Sequence, residues 1–114
     1  MTRPDADPTF RGYLTKFEME KVFEAGRMRL DLTLVLAEAW EEGAPQTAIQ
    51  FTGVQDVRFG DQHEGINFGS QLFLKVSDVS AQQWEGIRYR VANLEQDLRL
   101  AFYCRGFEKV HRNA

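Results

Sequence analysis

Cysteine is almost missing: Cys104 is the one example in 114 residues. That excludes an internal disulfide framework and any multi-cysteine zinc site. Histidine is scarce as well. The chain has two, His63 and His111, with no H-x-H or H-E-x-x-H spacing, so no cofactor or metal is expected. No stretch approaches the ~20 apolar residues that cross a bilayer. The longest apolar-rich run, Leu30 to Trp40, is broken by Asp31, Thr33 and Glu38. An excess of positive charge is missing too. Fourteen Lys and Arg face seventeen Asp and Glu, a net charge of -3, which argues against a nucleic-acid binder built on phosphate neutralisation. No G-x-S-x-G elbow offers a serine nucleophile. Gly65 and Gly69 lack the lysine and helix of a phosphate loop. The opening residues, MTRPDADPT, have no apolar signal-peptide core, so a cytoplasmic protein without membrane contact is the expectation.

What remains is ordinary for a globular chain: 43% hydrophobic and 27% charged residues. One β-rich domain over residues 10–110 is expected, with flexible tails at 1–9 and 111–114. The body shows repeated period-two alternation. Met28, Leu30, Leu32, Leu34 and Leu36 alternate with other residues, and so do Leu72, Leu74 and Val76. Ile87, Tyr89 and Val91 follow, then Leu98, Leu100, Phe102 and Cys104. A strand puts every second side chain on one face, so each run supplies an apolar face. Short polar turns between the last three runs favour an antiparallel meander, since parallel strands need a long crossover. Arg88, Arg90, Arg99 and Arg105 mark one wet face. The fold class is therefore mainly β: a single antiparallel β-sheet domain, either a sandwich or a strongly curved sheet. Phe10, Tyr13, Leu14 and Phe17 have helical spacing, which adds a short N-terminal helix as an option and α+β as the alternative.

Candidate functional residues fall in loops. Glu38, Trp40, Glu41 and Glu42 form an acidic loop with an aromatic anchor, a composition suited to a binding surface. The bland reading of Trp40, which is favoured, is a cap on the open end of the core. Asp61, His63 and Glu64, in the glycine-rich stretch 60–70, join the candidate partner-binding residues; as metal ligands or a base they are disfavoured against a plain solvated loop. Cys104 falls in register with Leu98, Leu100 and Phe102, which makes it a buried apolar residue rather than a nucleophile. Trp84 reads as cross-sheet packing.

The segments Leu30-Asp31-Leu32-Thr33-Leu34 and Ile49-Gln50-Phe51-Thr52-Gly53-Val54-Gln55-Asp56-Val57 resemble the bacterial immunity protein 50 family and its YxiG-like relatives. Gln62 near a polar loop, a strand ending in Asp78, and Leu100-Ala101-Phe102-Tyr103-Cys104 continue the likeness over residues 20–110. That family tends to carry a His-Asp pair before its first long strand, where this chain has Phe23-Glu24-Ala25. The resemblance implies a small cytoplasmic protein that neutralises a toxin by binding it, with no catalytic residue. A protein partner follows, and a homodimer stays open. Two other readings remain: a small-molecule-binding or enzymatic β-domain with a pocket near 60–70, and a structural subunit.

Overall fold

A computed structural model describes residues 8–60, 71–82, 86–94 and 99–112. The chain runs through β1 (Thr9–Glu24), β2 (Arg27–Ala37), β3 (Gln46–Thr52), β4 (Gln55–Gly60), β5 (Gln71–Asp78), β6 (Tyr89–Asn93), β7 (Arg99–Cys104) and β8 (Gly106–Arg112). A 3-10 turn covers Ser80–Gln82. All described strands join one eight-stranded antiparallel sheet in the order β4-β7-β6-β5-β1-β2-β3-β8, and among the described residues the edge strands β4 and β8 are not paired to each other.

That order carries an unusual consequence. β3 runs almost directly into β4, and β7 into β8, yet the two members of each pair sit at opposite ends of the sheet. Residues 46–60 and 99–112 are therefore one antiparallel ribbon, bent in the middle. Thr52 faces Gly106 on one side of the bend and Gln55 faces Tyr103 on the other. At the corner the Arg105 amide donates to the Thr52 carbonyl at 2.8 Å. The bend folds the sheet over its own apolar face. Phe51 of β3 meets Phe102 of β7 edge to face, with ring centres 4.9 Å apart. Phe107 of β8 reaches Tyr89 of β6 at 5.0 Å and Phe10 of β1 at 6.0 Å. The strongly curved sheet read from alternation is thus the fold observed.

The core holds Leu32, Leu34, Leu74, Leu100, Phe102 and Cys104 as alternation requires. Leu30 and Tyr89 pack against it half-buried. Ile87 precedes β6 and is only half-buried. Met28 keeps the parity of Leu30 but lies beyond the end of the core, 53% exposed.

Residues 10–24 contain no helix; β1 takes all of them. The helical spacing has a specific cause. Phe10, Gly12 and Leu14 face the core side, opposite Leu74, Leu72 and Leu36. A register shift between Leu14 and Lys16 then moves the core parity to Phe17, opposite Leu34. One inserted residue in a strand turns an alternating pattern into one that imitates a helix turn.

One buried carboxylate secures the corner. Asp31 is 4% exposed. Its Oδ1 accepts from the Gly53 amide at 3.1 Å and from Arg29 Nε at 3.0 Å, and Oδ2 accepts from Arg29 Nη2 at 3.3 Å. Gly53 stands at φ +66, a left-handed conformation that glycine tolerates. Arg29 also bonds Glu24, which lies 3.7 Å from Arg105 across the corner. The Arg29 guanidinium is held above its ordinary range, first by its hydrogen bond to Asp31 and then by the nearby charges of Asp31 and Glu24.

The β1–β2 hairpin closes through Ala25 and Gly26, at φ +53 and +77 between the paired residues Glu24 and Arg27. Two left-handed residues are the signature of a type I′ turn, where asparagine-glycine is preferred. Ala25 carries the cost of its Cβ there. Ala25→Asn is expected to raise stability by about 0.5–1 kcal/mol and the thermal midpoint by a few degrees. Calorimetry of the two proteins checks it; an unchanged or lower midpoint would place no strain at Ala25.

Candidate functional site

β2 leaves the sheet at Ala37 and the chain returns at Gln46, so residues 38–45 project as a loop. The loop is closed by the Glu38 amide donating to the Pro45 carbonyl at 3.0 Å and the Ala44 amide donating to the Glu41 carbonyl at 3.3 Å. Ala44 is buried beneath it. Glu38, Glu41 and Glu42 are all exposed. Trp40 is 61% exposed, so it does not cap the core as its size suggested. Tyr13 explains the difference. It pairs with Ala37 and lies on the outer face of the sheet by alternation, and the Trp40 ring leans against it at 6.3 Å. Trp40, Glu41 and Glu42 border a shallow cleft of about 270 Å³ that Thr15, Ala37, Ala39 and Gln46 complete. An aromatic face, two carboxylates and a small-residue floor can receive a side chain from another protein. Asp61, His63 and Glu64 lie outside the described residues, as do Trp84 and all but the first residue of the stretch 60–70 near which a pocket was expected.

Cys104 sits in the core, fully buried. Burial pushes its thiol up to about 12, against a smaller opposing effect of a hydrogen bond from the Gly106 backbone. The thiol form is thus favoured in the folded chain, the opposite of what a nucleophile needs. A folded value above the unfolded value of 9.0 gives a stabilising contribution that is complete below pH 9 and is lost as the pH rises toward 12. Cys104→Val is therefore expected to lose less stability than the parent between pH 9 and 11 in urea titrations. The native thiol is expected to react with a disulfide reagent only as fast as the chain opens. Rapid labelling without denaturant would contradict burial.

Asp78 ends β5 and caps the 3-10 turn. Its Oδ1 accepts from the Ser80 hydroxyl at 2.6 Å and the Ser80 amide at 2.8 Å, and these bonds draw its carboxyl below the ordinary range. Among the described residues no three His, Cys, Asp or Glu side chains gather in a metal-holding group. No described helix is long and apolar enough to cross a membrane.

Sequence reasoning missed a second feature of the surface. Arg58, Arg90 and Tyr103 line another cleft, of about 260 Å³, together with Asp56, Ala101 and Phe102. Arg90 of β6 and Arg99 of β7, on the face that the sequence marks as wet, hinted at it. The partner Arg58 comes from β4, whose place beside β7 is set by the bent ribbon and leaves no local signal.

Neither a curated protein nor a solved structure matches the chain. One family model does, across residues 7–110, and its description is immunity protein PIM8. The match agrees with the immunity class that the sequence resemblance implied and is silent on the narrower likeness to immunity protein 50. Since it spans nearly the whole chain, including every described strand from β1 to β7, this protein belongs to the immunity protein PIM8 family.

Proposed function

We propose that this protein protects the cell that makes it by binding a toxin protein in the cytoplasm and blocking it, without turnover of its own. The observation that carries this reading is the immunity-family match over residues 7–110. The buried, high-pKa Cys104 is consistent with a binding role, because the chain's one thiol is withheld from chemistry.

The 38–42 loop is the first contact in this reading. Its three glutamates are exposed, and Trp40 offers a rigid aromatic body of the kind that anchors interfaces. Opposite charges across an interface raise the encounter rate more than they slow dissociation. Replacing Glu38, Glu41 and Glu42 together by lysine should therefore slow association with the toxin about tenfold at low salt and flatten its salt dependence. Stopped-flow or surface-based association kinetics measure this. An unchanged on-rate in the triple variant would remove the loop from the interface.

A further inference from the structure

We propose that the outer face of the β4-β7-β6-β5 half receives an acidic, extended polypeptide segment of the partner protein. This rests on the reading of the chain as a toxin-binding protein and adds a second contact to it.

The register makes the face explicit. Arg58 pairs with Ala101, Ala101 with Ala92, and Ala92 with Lys75, so these four residues form one row across four strands. All lie opposite in parity to the buried Leu100, Val91 and Leu74. With strands about 4.8 Å apart, the Arg58 and Lys75 positions are roughly 14 Å from each other. Between them the floor is two alanines. In the next row Tyr103 pairs with Arg90, which places a second guanidinium beside that floor. The cleft of about 260 Å³ lies between Arg58 and Arg90. Arg99 extends the positive character along β7, and all four cations are exposed.

Charge decides the occupant. Among the described residues, Asp56 is the one carboxylate at this cleft. It lies 3.5 Å from Arg58 Nε, with both side chains more than half exposed. Exposed pairs of this kind hold together weakly and exchange readily. A basic face on a chain of net charge -3 is a local feature, not a consequence of composition. The immunity-family match favours a protein over a nucleic acid as the occupant. Guanidinium groups match the carboxylates of such a segment in two-pronged geometry. In an extended chain, side chains four residues apart on one face are separated by about 13 Å, close to the Arg58–Lys75 span. The alanine floor leaves room for the intervening side chains.

The test uses the full chain, labelled with nitrogen-15, and three probes: decaglutamate, decalysine and a ten-nucleotide oligothymidine. Decaglutamate is expected to shift the backbone amides of Ala92, Ala101 and Tyr103 saturably at low salt. Arg58→Ser with Arg90→Ser should weaken that binding about tenfold or more, and decalysine should leave those amides unmoved. Absence of saturable shifts at these amides, equal binding by the double variant, or tighter binding of the oligothymidine would each overturn the proposal. Toxin neutralisation is measured in parallel with the same variant. Full neutralisation by the double variant sinks this face and leaves the immunity reading standing. Saturable decaglutamate binding by a wild-type chain that fails to neutralise sinks the immunity reading instead.

Discussion

Replacing Phe51 by alanine should lower the free energy of unfolding by about 3–5 kcal/mol, a large part of the 5–15 kcal/mol available to a domain of this size. Phe51 is fully buried and touches both Phe102 and Phe107, so it joins strands from opposite ends of the sheet. Removing the ring leaves a cavity that close neighbours in a bent sheet fill poorly. Met28→Ala is the matched control. It removes an apolar side chain of similar reach from a run that alternates equally well, but one that is 53% exposed. That change should cost under about 1 kcal/mol. Urea unfolding of the two variants separates the cases. Similar losses would mean that the sheet does not fold over at Phe51.

Asp31→Ala should cost about 2–3 kcal/mol, because it leaves the Gly53 amide without its acceptor and Arg29 without its buried partner. The Arg29 side chain keeps Glu24 and is one-quarter exposed, so its charge is not stranded. Asp31→Asn retains an oxygen for the Gly53 amide and should cost less. The order of the three proteins in urea unfolding is the readout. Equal losses for alanine and asparagine would show that the corner hydrogen bond contributes nothing.

Much of this fold was legible where the chain alternates without interruption. Leu32, Leu34, Leu74, Leu100 and Phe102 occupy the core because parity alone assigns them there. β1 was not legible, since the insertion between Leu14 and Lys16 changes parity in mid-strand and gives Phe10, Leu14 and Phe17 the spacing of a helix. Asp31 was also hidden. Its parity puts it on the outer face, and only the β3–β4 corner, 22 residues along the chain, buries it. Trp40 was misjudged because size suggests burial, whereas its neighbour Tyr13 lies on the outer face. The exposed glutamates of the 38–42 loop could be named from composition. The basic row from Arg58 to Lys75 could not, because strands β4 and β5 come near each other only through β7 and β6.

Neutralisation by binding is tested most directly by titrating this protein into a fixed amount of a toxin protein captured with it by pull-down while toxin activity is followed. A loss of activity linear in added protein, complete at one copy per toxin and independent of incubation time, is the expected result. Full toxin activity at several-fold excess would contradict the immunity role. Progressive inactivation by substoichiometric amounts would contradict binding as its mechanism.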